Sequence, residues 1–180
     1  NCNQPIAAIL DTRNSNLSSV KTRGVDADID YAFDTAIGEI GLGLRGTYTL
    51  DYVTQLTDTA PAYEVVDTLN HPLSLRVAGT VSWARQDWKA YATVNYAGGY
   101  RISSTAQLGS IGSWTTVDLN LGYQVTSDNA WFSGTRVYLG AINLFDREPP
   151  FVNVAGVFAY DGANATLLGR QLSLQIIKQW

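Results

Sequence analysis

Three aspartates spaced two residues apart are the part of the sequence most suited to chemistry. Asp26, Asp28 and Asp30 would lie on one face of a strand, because successive side chains of a strand point to opposite faces. Paired carboxylates can act as general acid and base. The same row would equally form a solvated wall or a contact surface for another part of the protein, which is the interpretation we favour. The serines lack a matching histidine because His71 falls in a predicted loop, so we predict no catalytic residue and no enzyme activity.

Metal-ligating residues are sparse. The chain has 1 Cys, at Cys2, and 1 His, at His71. These two residues give no cluster with the spacing of metal ligands, so neither a metal nor a cofactor is predicted. Cys2 cannot form a disulfide within the chain. It is either a buried or incidental thiol, or it has a partner further upstream.

The composition excludes several classes of protein. Charged residues make up 16% of the 180 residues, against roughly 25% in an average soluble domain. A net charge of −4 argues against nucleic acid as a partner, since phosphate binding needs a basic patch. The longest apolar run, Ile6–Leu10, is far shorter than the roughly 20 residues of a spanning helix. Low charge with many glycines and aromatics is also typical of a transmembrane β-barrel.

Strict alternation of apolar and polar residues predicts an all-β, antiparallel fold with about seven long strands and no helix. The predicted strands are Val25–Asp34, Ile40–Tyr52, Leu73–Trp83, Trp88–Tyr96, Thr116–Gln124, Arg136–Phe145 and Gln171–Trp180. Several are as long as the about 9–11 residues of a transmembrane strand, beyond the mode of about 5–6 in soluble sheets.

The connections between these strands alternate in length. Short turns are predicted at 34–38 and 84–87, with a somewhat longer one at 126–135, and long loops at 54–72, 97–113 and 146–166. Short periplasmic turns and long external loops are typical of an outer-membrane barrel. This alternation therefore predicts a transmembrane β-barrel wall whose long loops face outward from the cell.

Aromatic residues cluster at the two ends of the predicted strands, as they do at the two water–lipid interfaces. Predicted interface anchors near the short turns and the C-terminus are Tyr31, Phe33, Trp83, Trp88, Tyr123 and Trp180; Tyr48, Tyr52, Tyr96, Tyr100 and Trp114 lie near the long loops. Arg170 shares the outward parity of Leu172. We predict that it reaches the outer headgroups, where lipopolysaccharide phosphates could pair with it.

Candidate ligand contacts come from two regions. Polar residues of the lumenal face are Arg45, Arg76, Asn95, Asp118 and Asn120. Residues of the long loops are Tyr63, His71, Tyr100, Arg101, Phe158 and Tyr160. The lumenal residues could equally contact a plug, and loop aromatics often pack the loops on themselves, so these alternatives stay open.

Four segments resemble the C-terminal part of the barrel of TonB-dependent outer-membrane receptors. They are residues 16–26 (NLSSVKTRGVD) with the alternating strand that follows, Asn143–Phe151 (NLFDREPPF), Tyr160-Asp161 leading to Leu168-Gly169-Arg170, and the alternating apolar C-terminus ending in Trp180. The NLFD-x-x-PP motif together with the terminal tryptophan is the most specific part of this resemblance.

The resemblance implies a role in active uptake across the bacterial outer membrane. Receptors of this family have a large barrel of about 22 strands filled by an N-terminal plug domain. An energy-transducing TonB complex acts on the N-terminal part, and the barrel-assembly machinery reads the C-terminal strand. Outer-membrane lipid and lipopolysaccharide would surround the barrel. Ferric siderophores are the first substrate expectation, with cobalamin, other metal chelates and oligosaccharides behind.

The strand count predicts that residues 1–180 are the C-terminal part of a larger barrel. Bacterial single-chain barrels have even strand numbers, and seven strands leave two open edges that lipid does not tolerate. The lack of Met and the unpaired Cys2 favour a missing upstream part with the plug, and residues 1–16 would be an external-loop remnant. One alternative is a self-contained eight-strand barrel that uses Gln4–Asp11 as a strand. Another is a soluble carbohydrate-binding β-sandwich.

Overall fold

The computed structural model describes residues 19–103, 108–129, 131–154 and 159–179. These ranges contain ten strands: β1 (Ser19–Thr35), β2 (Gly38–Gln55), β3 (Ala62–Glu64), β4 (Leu75–Arg85), β5 (Trp88–Ala97), β6 (Tyr100–Ser103), β7 (Leu108–Ile111), β8 (Trp114–Val125), β9 (Thr135–Ile142) and β10 (Gln171–Lys178). Residues 1–16, with Cys2 and Gln4–Asp11, lie outside the described residues, as do Phe158 and Trp180.

Seven of the strands form one antiparallel sheet in the order β1-β2-β4-β5-β8-β9-β10, and these are the seven long strands that the alternation predicts. The all-β antiparallel prediction is therefore confirmed. The seven long strands lie in one sheet and not in two facing sheets, so the β-sandwich alternative is wrong. No helix in these ranges is long and apolar enough to cross a membrane.

The three short strands lie in the long loops and were not predicted. β3 pairs with the end of β2, and β6 pairs with β7 in a separate hairpin. Strands of three or four residues are too short to show a periodic pattern in the sequence.

The sheet has one polar and one apolar face, set by the register of the strands. Directly opposed residues share a face, and one polar row crosses five strands through Asp28, Arg45, Ala78, Asn95 and Thr116. The opposite face carries rows such as Tyr31, Leu42, Val81, Ala92, Leu119, Ala141 and Leu172. Here Tyr31 is 64% exposed and Leu172 73%, a contiguous apolar surface that soluble monomers rarely show.

The two edge strands of the sheet, β1 and β10, each have one side without a partner strand in the described sheet, so the barrel is not closed. Neighbouring strands are antiparallel and the path holds an odd number of strands, so β1 and β10 run in the same direction. They cannot pair antiparallel with each other. Antiparallel closure requires an odd number of further strands between them.

A packed core lies among the long loops, at the long-loop ends of the strands. Its buried residues are Leu73, Ala97, Tyr100, Ile102, Ile111 and Val152. The β6–β7 hairpin joins the first long loop through backbone bonds from Arg101 to Asp67 (2.8 Å) and from Leu69 to Arg101 (3.1 Å). We call the described parts of loops 56–74, 98–113 and 143–170 the outer-loop cluster.

Candidate functional site

The aspartate row on β1 is tied to β2 by Arg45 and Thr47. Arg45 Nε lies 3.1 Å from Asp28 Oδ1, its Nη2 lies 3.9 Å from Asp30 Oδ2, and Thr47 Oγ1 donates to Asp26 Oδ1 at 2.7 Å. These groups are exposed, so their ion pairs are screened by water and contribute little to stability. The row is a charged wall in which Arg45 offsets part of the acidic charge.

Two predicted ligand contacts, Asn95 and Asp118, bind each other. Asn95 Nδ2 donates to Asp118 Oδ2 at 2.7 Å, and the second carboxylate oxygen accepts from the Asn143 backbone at 2.9 Å. Asn120 lies on the same face, exposed and opposite Gly140. In the described structure, the side chains of Asn95 and Asp118 are therefore hydrogen-bonded, whereas the exposed side chain of Asn120 is not.

Two hollows on the polar face adjoin Arg45. The larger, of about 600 Å³, is lined by residues that include Asp30, Arg45, Thr80, Tyr91 and Thr93. The smaller, of about 250 Å³, is lined by residues that include Arg45, Thr47, Arg76 and Asn95. The structure therefore brings Arg45, Arg76 and Asn95 together and places Asp118 and Asn120 outside both hollows.

Arg76 joins the wall to the outer-loop cluster. Its side chain extends from the polar face of β4, and Nη2 donates to Asn164 Oδ1 at 2.6 Å. Asn164 is 6% exposed. Its Nδ2 donates to the backbone oxygen of His71 at 2.9 Å and to Asp161 Oδ2 at 2.8 Å, so both amide hydrogens are used.

Asp161 is a buried carboxylate at the centre of the outer-loop cluster, with 1% exposure. The backbone nitrogens of Asn70 and Ala163 donate to it at 3.0 and 2.9 Å, and Tyr100 donates through its side chain. Burial acts to raise the pKa of Asp161, but the donated hydrogen bonds outweigh it and hold this pKa below its usual value. Burial, and then the charge of Asp161, raise the pKa of Tyr100.

The predicted loop contacts have different environments. Tyr63 is 62% exposed, Arg101 is exposed, and Tyr160 partly lines a hollow of about 290 Å³ with Phe151, Leu167 and Leu168 among others. Tyr100 is buried in the core and presents little surface to an incoming ligand. His71 Nδ1 lies 3.0 Å from both Thr68 Oγ1 and the Leu69 carbonyl oxygen, so it is engaged within its own loop.

The NLFD segment forms a turn that anchors the start of β10. Asn143 has a φ of 51°, and its side chain bonds the backbone nitrogen and oxygen of Arg147 at 2.9 and 3.1 Å. Asp146 Oδ1 accepts from the backbone nitrogen of Arg170 at 2.7 Å. Arg170 Nη1 lies 3.4 Å from the Leu144 carbonyl oxygen, so its outward reach to headgroups stays a prediction.

The aromatics near the short turns form contacts on the apolar face. The Trp88 and Tyr123 rings lie 4.5 Å apart, those of Tyr31 and Phe33 lie 5.6 Å apart, and Trp83 Nε1 donates to the Ile37 oxygen at 2.8 Å. At the other end of the strands, Trp114 lies on the polar face instead, opposite Ala97. Its Nε1 is buried with no partner in the described structure.

Sequence reasoning missed the parts played by Asp161, Asn164 and Asn143. In the sequence, Asp161 and Asn143 stand out only as members of segments that resemble the receptor family. A usable signal was present for Asn143, because asparagine is several-fold enriched among non-glycine residues with positive φ. No comparable signal marks Asp161, whose partners lie in other loops.

The two-faced sheet, its open edges and its packed outer loops define a segment of a transmembrane β-barrel. The chain belongs to the family described as "TonB dependent receptor-like, beta-barrel", whose sequence profile matches residues 1–144. Proteins of this family are receptors of the Gram-negative outer membrane, and they are transporters.

Solved structures agree with this assignment of the fold. Two crystal structures of mutants of the ferric enterobactin receptor of Pseudomonas aeruginosa match 86% of the chain at 19% identity, with TM-scores of 0.56 and 0.55. The match covers 22% of the length of those receptors. A search of curated proteins gave no match.

Proposed function

We propose that this chain is the C-terminal part of the barrel of an outer-membrane receptor for TonB-dependent uptake of a scarce nutrient, with a ferric siderophore as the first candidate substrate. The observation that carries the proposal is the open, two-faced sheet. Its apolar face fits lipid, its polar face fits a filled lumen, and its two free edges require further strands. Family membership supports the same conclusion.

The partners follow from the same surfaces. A plug domain from the upstream chain would contact the polar face, where Arg45 and the β1 aspartates offer charged groups. The TonB complex would act through that upstream part, and the barrel-assembly machinery through β10. Lipid and lipopolysaccharide would meet the apolar face. The siderophore expectation is supported by the named substrate of the structural neighbours, which share only the fold with this chain.

Uptake of radiolabelled iron by cells that express the intact receptor tests the proposal. Cells lacking their own siderophore receptors are supplied with ferric enterobactin, ferric citrate or labelled cobalamin, with and without a functional tonB gene. We expect one of the ferric chelates to enter only when TonB is present. Uptake that does not depend on TonB, or a receptor fraction that is fully soluble without detergent, would contradict the proposal. TonB-dependent uptake of cobalamin without uptake of either ferric chelate would show that the proposed substrate is wrong.

A further inference from the structure

A single buried carboxylate connects all three outer loops. Asp161, in the last loop, accepts from the Asn70 backbone of the first loop and from the Tyr100 side chain of the second, and also from Ala163 and Asn164 of its own loop. The groups that contact its carboxylate donate hydrogen bonds to it, and no ion pair to it occurs among the described residues. Hydrogen bonds to a charged buried group are among the stronger ones in proteins.

The same carboxylate acts at a distance on Arg76. Asn164 can present its oxygen to Arg76 because both of its amide hydrogens are held, one by Asp161 and one by the His71 carbonyl. This arrangement fixes the orientation of the Asn164 amide. In the opposite orientation, an amide oxygen would face the Asp161 carboxylate and an amide nitrogen would face the guanidinium.

Arg76 keeps its charge available at the outer end of the polar face. Its described hydrogen bond is to a neutral amide, and it makes no ion pair with a carboxylate in the described part of the chain, in contrast to Arg45. A guanidinium has five N–H donors and binds planar anions with two of them. Arg76 also lines the hollow that contains Thr47 and Asn95.

We propose that Asp161 is a positioning residue that holds the three outer loops as one unit and, through Asn164, orients the Arg76 guanidinium toward an anionic ligand in the lumen. The ligand part of this inference rests on the proposed receptor function. The loop part does not, because it depends only on the contacts described above. The three loops then change conformation together and not one at a time.

Hydrogen–deuterium exchange of the intact receptor tests the loop unit without any ligand. Asp161→Asn keeps the shape of the side chain but replaces one carboxylate oxygen, an acceptor, with an amide NH2 group. This donor then faces the groups that donate to the carboxylate. We expect exchange at Leu69, Asn70 and Arg101 to accelerate together by about tenfold or more. Tyr100→Phe, which removes one donor and keeps the ring packing, gives a smaller effect at the same amides. Asp58→Asn, an exposed carboxylate in the first loop, is the matched control and changes nothing.

Two further measurements test the action on Arg76. Modification of Arg76 by phenylglyoxal, followed by mass spectrometry, is expected to be faster in Asp161→Asn and in Asn164→Ala than in Asp58→Asn. Binding of ferric enterobactin is then measured for Asp161→Asn, Arg76→Gln and the double variant. We expect the loss of binding in the double variant to be smaller than the sum of the two single losses, because part of the effect of Asp161 is exerted through Arg76.

The outcomes separate this inference from the proposed function. Acceleration confined to the last loop in Asp161→Asn, or an unchanged rate of Arg76 modification, would overturn the inference. Independent and additive losses of binding in the double variant would show that Asp161 does not act through Arg76. If the unmodified receptor does not bind ferric enterobactin, the substrate expectation fails, while the exchange and modification measurements still decide the inference.

Discussion

Asp118 Oδ1 accepts a hydrogen bond of 2.9 Å from the backbone nitrogen of Asn143. This bond joins the polar face of β8 to the first residue after β9, where the chain leaves the sheet. The adjacent backbone bond from Leu144 to Val117, at 2.7 Å, continues the same connection. The start of the last outer loop is therefore fixed to the barrel wall.

The turn at Asn143 gives a first prediction. Asn143→Ala loses two side-chain bonds to Arg147 and places a non-glycine residue without them at a φ of 51°. We expect a loss of about 2 kcal/mol in unfolding free energy. Asn143→Gly loses the same hydrogen bonds, but glycine adopts a positive φ without strain, so we expect a loss of about 1 kcal/mol in unfolding free energy. Denaturant unfolding of the detergent-solubilised receptor measures both, and a larger loss for glycine would contradict this explanation.

The first tight turn gives a second prediction. Gly38 has a φ of 123°, and a Cβ atom there would collide with the backbone oxygen of Ala84 on the neighbouring strand. Gly38→Ala should therefore reduce the folded fraction, at a cost of several kcal/mol. Gly79→Ala is the control, because a Cβ there meets nothing within 4 Å. The heat-modifiable gel shift of folded barrels reports both variants; equal folded fractions would refute the prediction.

The two faces of β5 give a third prediction. Val94 lies on the apolar face and is 46% exposed, and Tyr91 lies on the polar face and is 44% exposed. Arginine on the lipid face of a barrel costs about 2–4 kcal/mol near the bilayer midplane. Val94→Arg should therefore lower assembly into the outer membrane, and Tyr91→Arg should not. Membrane fractionation and surface labelling measure this, and a greater loss for Tyr91→Arg would reverse the assignment of the faces.

The carboxylate of Asp161 gives a fourth prediction, on pH. Its pKa in the folded protein lies below the ordinary 3.8. A carboxyl group with a lowered folded pKa stabilises the fold above its unfolded pKa, and this contribution is lost as the pH falls through the folded pKa. Protection of the outer-loop amides should therefore be constant between pH 7 and pH 5 and fall only below pH 3.8. Amide exchange corrected for intrinsic rate checks this; loss of protection already at pH 5 to 6 would exclude Asp161 as its source.

The long strands and their faces could be predicted because both leave a local signal. Alternation places Val25, Ile29 and Tyr31 on one side and Asp26, Asp28 and Asp30 on the other, and the register confirms these sides. A period of two residues depends only on strand geometry. Trp114 differs, since its place near a loop suggested an interface anchor, whereas its pairing with Ala97 puts it on the polar face.

The candidate site was predicted only in part. Arg45, Arg76 and Asn95 could be placed on the lumenal face by parity, but their partners could not. Asn95 bonds Asp118, 23 residues away, and Arg76 bonds Asn164, 88 residues away. Such contacts depend on which strands are neighbours and on how the loops fold back, and neither has a periodic signature.

The sequence by itself determined the number of long strands, the two faces and the alternation of turns and loops, because each follows from local geometry and from the solvent that each side meets. The tertiary structure alone decided that the outer loops pack around Val152 and the Asp161 carboxylate. Burying a carboxylate is favourable only when donors from several segments converge on it. That convergence exists only once the sheet has brought the three loops together.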